Sequence, residues 1–154
     1  MFKDDNIFIF DYDFDRDTLL AEFDKHNGKF QAYNDPRGVL DNFQIVRTEF
    51  PYAEELCQLF DINARSRFYI LKANSVLPQH QDLGTLCSIN VLLSSKNPAP
   101  VNYGDKEYYY KNALLNTQNM HGVVTNNEDR LLFKLSVFDE SYESVVEKIK
   151  KVIQ

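Results

Sequence analysis

The chain has no tryptophan, and among its 154 residues there are only two cysteines, three histidines, five glycines and five prolines. Cys57 and Cys87 stand in apolar stretches with no CxxC, which excludes a disulfide framework. Both are read as buried free thiols, since a free cysteine behaves mostly as a small hydrophobe. No apolar run approaches the ~18 residues of a membrane span, and the opening MFKDDNIFIF has no signal-peptide core. The expectation is a soluble, intracellular, cytoplasmic protein with no membrane partner. Positive charge is also in short supply: 17 Lys and Arg face 23 Asp and Glu, for a net charge of -6. Proteins that track phosphates usually carry a basic patch or stripe, so a nucleic-acid partner is not expected.

What the chain has in quantity is large β-compatible side chains. It is 44% hydrophobic and 14% aromatic, with 12 Phe and 9 Tyr, which predicts substantial sheet. Its length suits one domain. NIFIFDYDF (6–14) reads as a β-type run. DRDTLLAEFDKHNG (15–28) reads as a helix, with Asp15 as N-cap and Asn27-Gly28 as its stop. Asp35-Pro36-Arg37-Gly38 marks a turn, NFQIVRTEF (42–50) alternates as a strand does, and Pro51 opens a second helix. From residue 66 short β-like runs follow one another with turn residues between, the pattern of a sandwich or barrel. ESVVEKIKKVI closes as an amphipathic helix.

The three histidines separate by context. His26 falls at the end of the first helix, where an imidazolium suits the helix dipole and a surface position. His80 and Asp82, in LPQHQDLG, sit at i and i+2 and would share one face of an extended strand. They are either the start of a metal site or a hydrogen-bonded strand end. His121, in NMHGVVTNN, can join them if the sheet folds back on itself. Two imidazoles and a carboxylate on one face, with other positions open, make the facial triad of non-haem Fe(II) oxygenases. Arg130 opens the strand RLLFKLSVF. An arginine there either needs an anion inside the barrel or pairs at the strand end with Glu128, Asp129 or solvent.

His80-x-Asp82, His121 and Arg130, in that order, resemble the signature of the 2-oxoglutarate- and Fe(II)-dependent oxygenases, most closely the prolyl-hydroxylase-like branch. ANSVLPQHQD, LCSINVLLS and HGVVTNNEDRLLFKLSVF resemble the segments that carry the family's first ligands, the following strand, and the distal histidine with the co-substrate arginine. The resemblance spans about residues 66–138. The approach loop LKANSV departs from it by lacking a Pro-Gly, and the segment between Asp82 and His121 is short and Tyr-rich.

The resemblance implies a mainly β fold: a double-stranded β-helix, or jelly roll, with two N-terminal helices and one C-terminal helix packed on it. It implies a single domain over 1–154, with support at 1–65, the β-helix core at 66–138 and the last helix at 141–153. His80, Asp82 and His121 would bind Fe(II), and Arg130 would hold the distal carboxylate of 2-oxoglutarate. Tyr69, Lys72, Asn90 and Ser136 are further candidates for the co-substrate pocket. Lys134, on the same face as Arg130 by period two, either lies at the barrel mouth or is turned out by a bulge. The implied reaction consumes 2-oxoglutarate and O2, releases succinate and CO2, and hydroxylates a peptide, amino acid or small metabolite. Two other readings stay open: a cupin-like jelly roll that binds a metal or carboxylate without oxygenase activity, and a structural β-domain with no metal. Tyr108-Tyr109-Tyr110 is either a strand with aromatics on both faces or a wall of the substrate mouth. Asn126 reads as a turn residue.

Overall fold

Helix ends follow the local chemistry closely. In the computed structural model, which describes residues 1–94 and 97–154, the elements run β1 (Phe2–Lys3), β2 (Ile7–Ile9), α1 (Arg16–Lys25), β3 (Gln31–Asp35), β4 (Gly38–Arg47), α2 (Pro51–Phe60), β5 (Ala64–Leu71), β6 (Val76–His80), β7 (Cys87–Leu92), β8 (Val101–Tyr103), β9 (Lys106–Tyr108), β10 (Asn112–Leu115), β11 (His121–Val124), β12 (Arg130–Val137) and α3 (Tyr142–Ile153). The Asp15 carboxylate accepts from the Thr18 N–H and caps α1, as expected. Pro51 occupies the first turn of α2, where its missing N–H costs nothing. The Ser141 hydroxyl accepts from the Ser144 N–H and caps α3.

The fold is mainly β, with three helices and two antiparallel sheets, consistent with a jelly roll. The larger sheet has eight strands in the order β1-β2-β10-β7-β12-β5-β4-β3; the smaller has four, β6-β11-β8-β9. Four strands from the first third of the chain extend the large sheet at both edges. Two details differ from the sequence reading. The run 6–14 is a strand only at Ile7–Ile9, because the following chain turns to bury Phe10 and Phe14. Gln31–Asp35 pairs with β4 as a hairpin although its sequence, QAYND, has little strand propensity. Pairing to the long β4, not the content of the segment, makes it a strand.

The two faces of the large sheet are built differently. On the outer face Phe68, Ile89, Val91, Leu114, Phe133 and Leu135 pack with Leu19, Leu56, Phe60, Val145, Val146 and Ile149 of the three helices. The inner face, turned towards the small sheet, carries Ile45, Tyr69, Leu71, Leu92 and Leu132, packed with Val101, Tyr103, Tyr108 and Val123 of the small sheet. At one end this inner layer opens into a cavity of about 1060 Å³.

Candidate metal centre and its cavity

β6 and β11 are neighbours in the small sheet, and their register sets His121 directly opposite His80. The imidazole centroids lie 4.4 Å apart. Asp82 lies two residues past the end of β6, so strand alternation alone does not aim it. Its N–H donates to Thr117 O, and Gln118 Nε2 donates to the carbonyls of Asp82 and Thr85. These bonds fold the segment back so that Asp82 Oδ1 comes within 3.2 Å of His80 Nε2 and 3.3 Å of His121 Nε2. One ligand atom from each residue lies within 4.8 Å of the others.

The tautomers are set by the backbone. His80 Nδ1 is 2.7 Å from Pro78 O, and His121 Nδ1 is 2.8 Å from Asn119 O. A carbonyl oxygen only accepts, so each Nδ1 carries a proton and each ring turns its Nε2 to the shared point. Two ring nitrogens and a carboxylate oxygen then face one another, an arrangement that protons bridge in the metal-free protein and that a cation can take over. The ring N–H to carbonyl contact is also the usual way a ligating histidine is oriented.

Gly122 makes this register possible. A Cβ there would sit 2.6 Å from Leu77 O and 3.0 Å from Gln79 N, both backbone atoms of β6. Any side chain would push β11 off the strand that carries His80. The pairing also shifts register between His121 and Val123, a local irregularity of the kind found next to active sites.

Lys134 is the site residue that the spacing argument left unassigned. It points into the cavity from β12, with Nζ 3.3 Å from Asp82 Oδ2 and 5.3 Å from the Tyr69 ring centre. Burial alone would push the Asp82 carboxyl up, but Lys134 and the hydrogen bonds from His121 and His80 hold it well below the usual carboxylate range. Burial likewise disfavours the Lys134 ammonium, yet Asp82 and the Tyr69 hydroxyl keep its pKa above the ordinary value. The signal for Lys134 was its period-two relation to Arg130.

Arg130 is buried at the far end of the cavity. Its Nε donates to Ala99 O at 3.0 Å and its Nη2 to the Tyr110 hydroxyl at 2.9 Å. Glu128 and Asp129 make other contacts, with the N–H groups of Asn97 and Ala73. The Tyr110 hydroxyl also accepts from Asn90 Nδ2, and Asn90 Oδ1 accepts from Ser88. Tyr110 therefore links Arg130 to Asn90, and nothing in its Tyr-Tyr-Tyr context singled it out. Its neighbour Tyr108 is buried, while Tyr109 is exposed.

The remaining expected pocket residues divide. Tyr69 and Asn90 line the cavity with Arg130, His80, Asp82 and His121. Lys72 and Ser136 do not. Lys72 follows the end of β5, and its main chain is bonded to Asn42 and Thr125. Ser136 lies past Lys134, between Ser88 and Arg65, and its buried hydroxyl has no hydrogen-bond partner among the described residues. His26 sits at the end of α1 against Glu22, at 3.0 Å, away from the cavity.

Comparison with solved structures places this fold. The chain is similar to a Pseudomonas putida prolyl-4-hydroxylase (TM-score 0.69, 11% identity, 86% of this chain and 92% of that one). It is similar also to a Trichoplax adhaerens prolyl hydroxylase in complex with a hypoxia inducible factor oxygen degradation domain peptide fragment (TM-score 0.64, 13% identity, 91% and 86%). A third is HygX from Streptomyces hygroscopicus with nickel and 2-oxoglutarate bound (TM-score 0.58, 13% identity, 85% and 82%). The structural neighbours thus include prolyl hydroxylases and other 2OG-Fe(II) oxygenases, together with a DMSP lyase, and at these identities the likeness is one of fold. No family model and no curated protein matches the chain. No helix among the described residues is long and apolar enough to cross a membrane.

Proposed function

We propose that the protein is a 2-oxoglutarate- and Fe(II)-dependent oxygenase, a hydroxylase in which His80, Asp82 and His121 hold the metal. The observation that carries this is the convergence of two Nε2 atoms on Asp82 Oδ1, each ring locked by a backbone carbonyl. The shared fold of the structural neighbours supports it. In this reading residues 1–154 are one domain. Residues 66–138 form a double-stranded β-helix, residues 1–65 support it, and the helix at 141–153 packs on it.

The donor set suits Fe(II), since imidazole and carboxylate ligands with open positions are the facial arrangement of that chemistry. When bound, iron and 2-oxoglutarate supply the oxidation, in which O2 is reduced, 2-oxoglutarate gives succinate and CO2, and a substrate C–H becomes C–OH. The chain's own residues bind and orient. Lys134 engages Asp82 Oδ2 and so leaves Oδ1 as the oxygen turned to the histidines. Arg130, held by Ala99 O and Tyr110, has further N–H groups to receive the distal carboxylate of 2-oxoglutarate. Tyr69 stacks on Phe43, with centroids 5.0 Å apart, and forms an apolar wall beside that path. Asn90 holds the Tyr110 hydroxyl in place. The primary substrate is taken from peptides, amino acids or small metabolites.

The test is anaerobic addition of Fe(II) and then 2-oxoglutarate to the metal-free protein, watching for the weak visible charge-transfer band of the chelate. The band is expected in the wild type, absent in His121→Ala, and to need far more 2-oxoglutarate in Arg130→Ala. Iron binding with no band would point instead to a cupin-like metal-binding jelly roll. No metal binding at all would overturn the reading.

A further inference from the structure

Cross-strand register gathers positive charge on one part of the inner face. Arg47 of β4 is opposite Arg67 of β5, and Arg67 is opposite Lys134 of β12. Arg65 shares the face two residues along β5. Like charges directly opposite one another destabilise a sheet. Lys134 is neutralised by Asp82. Arg47, Arg65 and Arg67, by contrast, are in no ion pair among the described residues. That is unexpected in a chain with 23 acidic residues against 17 basic ones.

Arg67 is half-buried, whereas Arg47 and Arg65 are exposed. Its guanidinium carbon lies 5.4 Å from the Phe138 ring centre, and that of Arg65 lies 5.0 Å from it. An aromatic ring beside a guanidinium engages its π-face, which leaves the in-plane N–H groups free to donate. Arg67 Nη1 makes one long contact, 3.4 Å, to the Tyr69 hydroxyl. Arg67 Nε is shut off from solvent and has no hydrogen-bond partner among the described residues. Arg47, Arg67 and Phe138 line the same cavity as His80, Asp82 and His121. Arg130 lies four residues along β12 from Lys134, about 13 Å of backbone at strand rise, and it is held by Ala99 O and the Tyr110 hydroxyl, partners that Arg67 does not share.

We propose that Arg67, flanked by Arg47 and Arg65, binds a carboxylate of the primary substrate, which makes that substrate a carboxylic acid. The proposal rests on the oxygenase reading for the word substrate, and on the arginines alone for the carboxylate. The terminal Nη groups of one guanidinium present two parallel N–H donors, the match for a planar carboxylate, with the buried Nε–H beside them as the reporter. Arg67 is one strand away from Lys134, which touches Asp82, so a group held there places its neighbouring carbons beside the metal ligands.

The experiment uses full-length, metal-free protein, so that it does not depend on iron. The Arg67 Nε–H resonance, assigned by its absence from Arg67→Lys, is followed in 15N-correlated spectra while hexanoate or its neutral twin hexanamide is added. Hexanoate is expected to shift it and hexanamide is not. Arg67→Gln is expected to weaken hexanoate binding at least about tenfold, while 2-oxoglutarate affinity, read from the anaerobic band, stays within about twofold. A capped glutamate, with its carboxylate on a side chain, is titrated beside hexanoate. Tighter binding of the capped glutamate assigns the carboxylate to a peptide side chain, and tighter binding of hexanoate assigns it to a free acid. Equal shifts with hexanamide, or equal binding of inorganic phosphate, would overturn the proposal. So would a parallel loss of 2-oxoglutarate affinity in Arg67→Gln, which would make Arg67 a co-substrate residue. If the band forms and hexanoate does not bind, this proposal alone fails. Hexanoate binding without the band removes the oxygenase reading, and with it the claim that the acid is a substrate.

Discussion

β12 meets two environments on its two sides. Leu131, Phe133, Leu135 and Val137 face the helices, in a layer of apolar side chains where the Phe133 ring packs against two others, Phe50 and Phe68. Arg130, Lys134 and Ser136 face the other way, with Leu132 between them. The outer face is close-packed and mostly apolar, and its buried Ser66 hydroxyl is bonded to Thr48 O. The inner face carries cations, a lone buried hydroxyl and a cavity, none of which helps the sheet to fold. One strand thus separates the part of the molecule that supplies stability from the part that supplies a site.

Substitutions on the two sides should differ accordingly. Phe133→Ala removes a fully buried ring from the outer face and should cost about 3–5 kcal/mol in urea unfolding. Iron affinity of the molecules that remain folded should be unchanged, and a loss of iron affinity in step with stability would break the separation. Gly122→Ala is the next largest. Its Cβ meets the backbone of β6, at about 1–3 kcal/mol for overpacking. Here iron affinity should fall as well, because the strand that moves carries a proposed ligand.

Lys134→Met keeps the bulk and removes the charge. In the metal-free protein it should cost about 1–2 kcal/mol, less than losing every partner of Asp82 would, because His80 and His121 stay in contact with Oδ1. The pH dependence gives the sign. Asp82 is held below its unfolded value, so its contribution is present above about pH 4 and is lost as pH falls. Lys134 is held above its own, so its contribution is present below about pH 10 and is lost as pH rises. Lys134→Met should therefore flatten both limbs of a stability–pH profile measured without metal. An unchanged profile would mean that the ion pair is not formed in solution. Smallest is Ser136→Ala. The hydroxyl is buried without a partner, so removing it should leave stability equal or higher by under about 1 kcal/mol.

Much of this was visible in the chain before folding was considered. Asp15 and Pro51 act through local backbone chemistry, and α1 and α2 begin where those residues stand, whereas the run VNYGDKEYYY, read as one strand, is the β8–β9 hairpin. His80, Asp82, His121 and Arg130 could be picked out because histidine is scarce here and an arginine opening an apolar strand is conspicuous. Tyr110 could not, since three consecutive tyrosines offer no rule for which one reaches Arg130. Gly122 could not either, because its reason is a backbone that lies far away in sequence. Lys72 and Ser136 were placed near the pocket by strand adjacency and by period two, and neither argument knows where a cavity ends.

Side-chain identity and short spacing were enough to indicate strands, caps, the mainly β class and a set of candidate ligands, because these depend on contacts within a few residues. Which arginine lies beside which lysine, that Asp82 folds back past a strand end, and that Arg67 keeps a donor unused were settled by register between strands. Register is a property of pairs of distant segments. It depends on the whole sheet closing with its apolar residues on the correct faces, and no single segment carries that information.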